Sequence, residues 1–200
     1  MIRVELAPEP ASFDMKVRKK GFKWLDKNGL DLDQPVPEKT KLKSCWRDCL
    51  EELWGSYNGV CAYLGVYFEF ETGGATVEHF VAKSTSKARL AYEWSNYRLA
   101  SSRVNSRKNK FDDVLDPCEI EDGWFWLEIV SGRIYPAEGL PEGIEAQVEQ
   151  TIKRLKLDSK GAREMRAGHV NWWLLGEVTV LFLQRQSPFV WKELQRQNLL

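Results

Sequence analysis

"TVEHFVAKSTSKARLAYEWSNYRLASSRVNSRKNKF", residues 76–111, is the stretch on which the reading of this chain turns. Its opening, "ATVEHFVA" from Ala75, is an apolar, β-branched run that predicts a strand. That strand carries Glu78 and His79, and His79 is one of only two histidines in 200 residues. "NYRLA", residues 96–100, predicts a second short strand beginning at Asn96. The serines of "SSRVNSRKNKF" suit an N-cap, so a basic helix with Asn105, Lys108 and Asn109 should follow. Adjacent residues of a regular strand face opposite ways, so for Glu78 and His79 to line one site the strand must end, bulge or twist there.

Outward from this stretch, "VCAYLGVYFEFET" is β-rich and "GG" at 73–74 is a turn signal, so a hairpin with the Glu78-His79 strand is expected. Upstream, "KTKLKSCWRDCLEELWGSY" spaces Leu42, Cys45, Trp46, Cys49, Leu50 and Leu53 as a helix that Gly55 can end. Residues 1–40 combine Pro8, Pro10, Pro35 and Pro37 with "KVRKKGFKWLDKNG", which predicts an extended arm bearing one short basic helix. Downstream, "WFWLEIVSGRIYP" predicts a hairpin around Ser131-Gly132, and helices are expected from about Glu142 to the end. The expected division is an arm over 1–40, a core over 41–116, and a hairpin with helices over 117–200.

The net charge is zero but unevenly placed. Lys83 to Lys110 contains eight basic residues against Glu93 alone, whereas Glu119 to Glu149 contains eight carboxylates against Arg133. A polyanion could meet the first segment and would avoid the second. "MIRVELAPEP" lacks the basic and apolar regions of a secretory signal, and "VNWWLLGEVTVLFL" is too short and too polar for a membrane helix, so a cytoplasmic protein without a membrane partner is expected. Cys45, Cys49, Cys61 and Cys118 then read as reduced thiols, the first two, four residues apart on one helical face, as a metal pair or, more often at such spacing, small buried hydrophobes. His169 reads as structural or interfacial, and Trp172, Trp173 and Trp191 as core or a partner surface.

In the order strand, loop, strand, basic helix, residues 76–110 resemble the HNH or ββα-metal nuclease motif. The wider text "CAYLG…VEHFVAKS…YEWSNYRLASSRVNSRKNKF" is similar to the PtuB-like nucleases of Septu and retron anti-phage systems. The resemblance extends over most of the chain and is most specific over 76–111. It implies an α+β fold in which a ββα-metal core is flanked by N- and C-terminal helical segments. It further implies a metal-dependent endonuclease, DNA favoured, working beside a PtuA-like ATPase of the ABC/SMC type. Two alternatives remain open: the same site cutting RNA such as tRNA, or a non-catalytic binding or scaffold subunit.

Hydrolysis of a phosphodiester needs a base for water and positive charge at the phosphate. His79 is the base candidate, because an imidazole is largely neutral near pH 7. The resemblance makes Glu78 and Asn105 ligands of Mg²⁺ or Mn²⁺, hard cations that prefer oxygen. Asn109, one turn beyond Asn105, would share its helix face as a further ligand. Asn96 would orient the imidazole or its loop. Lys83, Arg103, Arg107, Lys108 and Lys110 would contact the nucleic-acid backbone. Many relatives carry zinc on two Cys-x-x-Cys pairs; Cys61, Leu64, Ser101 and Val104 stand at those positions here, so no structural zinc is expected.

Overall fold

The computed structural model describes residues 1–72, 74–83 and 86–200. It is an α+β protein with seven α-helices and two two-stranded antiparallel sheets among the described residues. The chain forms two compact units. One comprises Leu6–Gly59 and Glu69–Asp112, the other Met1–Glu5, Val60–Phe68 and Asp113–Leu200.

The first unit holds the histidine segment. Its N-terminal portion enters through a π-helical turn, Asp14–Arg18, that runs into α1, Lys19–Lys27. Phe13, Val17, Gly21 and Leu25, four residues apart, form one buried stripe. Phe13 meets Trp94 and Tyr97 edge-on at 5.4 and 5.6 Å. Trp94 donates its indole N–H to the Ala7 carbonyl. Gly21 leaves room for the Tyr92 ring, whose Cγ would stand 2.2 Å from any Cβ added there. Residues expected to form an extended arm are therefore core-forming. The prolines suggested an appendage, but the four-residue spacing buries the helix between them.

Next come a 3-10 turn, Cys45–Cys49, and α2, Leu50–Ser56. Both cysteines are buried free thiols, and burial pushes the Cys49 pKa up to about 12. β1, Ala75–His79, pairs with β2, Tyr97–Ser101, from Ala75↔Ser101 to His79↔Tyr97. The hairpin expected between residues 60–72 and β1 does not form. Val60–Phe68 belongs to the other unit, where Val60 and Tyr67 form an isolated antiparallel bridge. β1 finds its partner across the loop instead of across the Gly-Gly signal, of which Gly73 lies outside the described residues. α3, Ser102–Lys108, follows β2 without a break and packs on β1 and β2. Ser101 occupies its N-cap with extended backbone, although its hydroxyl makes no capping bond.

In the second unit the hairpin about Gly132 forms as β3, Phe125–Leu127, and β4, Ile134–Pro136. Gly132 takes φ +70° and passes so close to the Arg163 carbonyl that a Cβ would stand 2.2 Å from it. Four helices complete the unit: α4, Ile144–Leu155; α5, Lys160–Leu174; α6, Val180–Gln186; and α7, Pro188–Arg196. Arg166 is fully buried because its guanidinium donates to the Gly132 and Leu157 carbonyls. Glu193 is held similarly by the Leu127 N–H and Arg196. No described helix is long and apolar enough to cross a membrane.

Candidate active site

β1 ends at His79, and the last two residues of the strand send their side chains into different surroundings. His79 is 6% exposed. Its ring lies edge-on to Trp46 at 4.9 Å and to Tyr97 at 5.0 Å. Nε2 sits 3.0 Å from the Ala91 carbonyl, which also accepts the Tyr97 hydroxyl at 2.8 Å. A carbonyl can only accept, so a neutral ring must carry its proton on Nε2, and Nδ1 holds the lone pair. Burial, then the positive charge of Lys83, lowers the His79 pKa to about 3, with the Ala91 carbonyl pulling the other way.

Glu78, 1% exposed, accepts from Lys108 Nζ at 2.9 Å. Lys108 is fully buried, and its ammonium also donates to the carbonyls of Phe80 at 2.7 Å and His79 at 3.3 Å. The expectation that Lys108 is a backbone-phosphate contact is corrected by this arrangement. Three residues on from Asn105, it lies on the helix face turned toward β1, so the strand's carboxylate and carbonyls take its charge. Asn105 shares that face, and its Nδ2 donates to Thr76 Oγ1 at 3.1 Å and to the Val77 carbonyl at 3.4 Å. Thr76 passes the bond on to the Ala100 carbonyl at 2.7 Å. With Nδ2 so engaged, Oδ1 is the end of the Asn105 amide available to a cation.

Asn109 is not on this face. α3 stops at Lys108, and Asn109 follows it exposed, at φ +50°, as the C-cap, so the one-turn spacing from Asn105 does not carry its side chain to the strand. Asn96, 5% exposed, clamps the loop between the strands. Its Oδ1 accepts from the Val81 N–H at 2.8 Å, and its Nδ2 donates to the carbonyls of Val81 at 3.1 Å and Leu90 at 2.9 Å. Leu90 precedes Ala91, so the amide fixes the segment on which His79 rests.

The basic run divides into four groups. Lys87 and Arg89 pair with Asp33, at 3.4 and 3.0 Å. Arg98 and Lys108 are buried. Arg103 and Lys110 are exposed, and Arg107 is half-buried, with burial and the neighbouring Arg103 lowering its pKa. Lys83 is half-buried with Nζ 4.2 Å above the Trp46 ring. Its pKa is lowered chiefly by burial, with Glu78 opposing and Arg47 adding to the effect. Trp46 is thus the residue that sequence reading missed, since at helical spacing it is indistinguishable from a core aromatic.

Among the described residues, no three His, Cys, Asp or Glu side chains cluster as a metal site. Of the positions compared with zinc ligands, Cys61 is buried in the second unit, while Ser101 and Val104 belong to the first. His169 bonds Ser187 Oγ at 2.9 Å and packs against Trp172 and Phe182; burial lowers its pKa. The exposed apolar residues near it are Trp172, Leu174, Leu175, Val180 and Leu181, whereas Trp173 and Trp191 are half-buried.

No protein-family model matches the chain, and no curated protein matches it significantly.

Proposed function

We propose that the chain is a metal-dependent endonuclease of the HNH type, hydrolysing phosphodiester bonds in nucleic acid, DNA in preference to RNA. One observation carries the reading: an antiparallel strand pair runs directly into a helix that bonds back to the first strand, with Glu78 and His79 at that strand's end. The ββα-metal core therefore comprises β1, β2 and α3.

In the proposed reaction, His79 Nδ1 takes the proton from the attacking water while Nε2–H stays on the Ala91 carbonyl. The resting imidazole is neutral at any working pH. Its low basicity stems from burial and two nearby ammonium groups, so an arriving phosphodiester anion raises it by offsetting Lys83 and Lys108. Asn96 fixes the loop that carries the Ala91 carbonyl, and Trp46 and Tyr97 hold the ring edge-on between them. Lys83, Arg103, Arg107 and Lys110 position the backbone.

The Lys108 ammonium, surrounded by one carboxylate and two carbonyl oxygens, is a stand-in for a cation and marks a donor set of the hard, oxygen-only kind. Glu78 and the Asn105 amide oxygen would hold Mg²⁺ or Mn²⁺, which would supply charge neutralisation at the phosphate. The cellular setting proposed is the cytoplasm, in anti-phage defence beside an ABC/SMC-type ATPase; it rests on the sequence resemblance alone.

A second reading, a nucleic-acid-binding subunit without catalysis, is favoured by the neutralisation of Glu78 by Lys108. Incubating the purified chain, with and without an ATPase partner, with plasmid DNA and total RNA in Mg²⁺ or Mn²⁺ tests both. Metal-dependent cutting that His79→Ala removes supports the nuclease. Binding without cutting, with the partner present, supports the second reading.

A further inference from the structure

The Glu78–Lys108 pair is unusual for its place. Both side chains are withdrawn from solvent, at 1% and 0% exposure, where an ion pair is retained only if its hydrogen bonds are well made. The ammonium is well served, with Glu78 Oε1 at 2.9 Å and the Phe80 and His79 carbonyls at 2.7 and 3.3 Å. It also lies 5.4 Å from the centre of the Phe80 ring. Both residues that the proposed function assigns to the metal bear on this point: Glu78 is the carboxylate in the pair, and Asn105 stands three residues before Lys108 on the same helix face. A divalent ion and the ammonium compete for one carboxylate, and at such a distance in a dry site their mutual repulsion is strong. Lysine is suited to yield, because its charge sits at the end of a flexible four-carbon stem.

We propose that Lys108 is an internal latch on the metal site: in the resting protein its ammonium holds Glu78 in place of the divalent ion, and the ion loads by displacing it. The inference rests on Glu78 being a metal ligand, and it makes Lys108 a positioning residue for metal affinity. Release of the ammonium would turn a buried charge toward solvent at the C-terminal end of α3, beside Arg107 and Lys110. An incoming phosphate favours the released state because it adds a countercharge. Metal affinity and nucleic-acid affinity then rise together.

Two measurements without turnover test the latch. The first is Mn²⁺ binding by electron paramagnetic resonance for wild type, Lys108→Met, Glu78→Gln and the double variant. Lys108→Met should bind Mn²⁺ more tightly by at least about tenfold, and Glu78→Gln should abolish that gain. Equal affinity in wild type and Lys108→Met, both weakened by Glu78→Gln, overturns the latch and leaves the metal reading standing. Mn²⁺ binding that never depends on Glu78 overturns both. The second uses wild type alone, so it holds even where Lys108→Met does not fold. Amine-reactive labelling of Lys108, read by mass spectrometry, should be slow in metal-free protein and rise with Mn²⁺ along the binding curve. Labelling unchanged by saturating Mn²⁺ overturns the latch.

Discussion

Replacing Asn96 removes the clamp under the loop between β1 and β2, and the size of the effect follows from its bonds. The amide makes three hydrogen bonds, of 2.8, 3.1 and 2.9 Å, to Val81 N–H, Val81 C=O and Leu90 C=O, at a residue only 5% exposed. At about 1 kcal/mol for each bond, Asn96→Ala should cost about 3 kcal/mol. Asn96→Asp should cost at least as much, since it keeps the bond from Val81 N–H but turns a second acceptor toward two carbonyl oxygens. Urea denaturation should show both as a lowered midpoint with an unchanged slope. Hydrogen exchange gives the local readout: if opening of the clamp becomes easier by about 3 kcal/mol, the Val81 amide should exchange about 100-fold faster. The reasoning is refuted if Asn96→Ala lies within about 0.5 kcal/mol of wild type and Val81 exchange is unchanged.

His79→Ala should lower cleavage by about 10²–10⁴-fold with Mn²⁺ affinity retained, as measured by turnover beside metal titration. Stability should fall as pH drops below the ordinary histidine value of 6.5: the unfolded chain takes up a proton there, and the folded ring does not until about pH 3. The loss from His79 should reach roughly 1.4 kcal/mol per pH unit, and denaturation at pH 7 and pH 5 should show a larger loss in wild type than in His79→Gln, which keeps only the part due to His169, whose pKa burial also lowers. In nucleic-acid binding, Arg103→Ala and Lys110→Ala should each reduce the slope of log K against log salt by about 1. Gly21→Ala should destabilise by about 1–3 kcal/mol in urea denaturation, because its methyl collides with the Tyr92 ring, which Tyr92 O–H ties to the Lys43 carbonyl.

The segment 76–111 was legible because each of its elements is coded locally. The strand expected over 75–82 forms as far as His79, the one expected over 96–100 forms from Tyr97, and serine opens a basic helix. The strand's partner was not legible. Residues 60–72 have the apolar content of a strand, but pairing is decided by tertiary packing, and Val60–Phe68 goes to the other unit. The burial of the N-terminal helix had a signal that the prolines obscured, the stripe of Phe13, Val17, Gly21 and Leu25. The fate of Lys108 was hidden for another reason. A lysine in a basic run reads as solvated, and only the rotation of a seven-residue helix decides that this one faces a carboxylate while Arg103 faces water. That helix ends one residue too soon to bring Asn109 along.

The Asn96 amide also bears on how such a site can diversify. By bonding both Val81 and Leu90 it ties the two ends of the loop at its base, so what lies between them does not set the distance from His79 to its carbonyl support. A longer connection after Ala82 would add only loop-closure entropy, about 0.6 kcal/mol for each doubling in length. New residues could therefore be spliced in while the imidazole stays on Ala91.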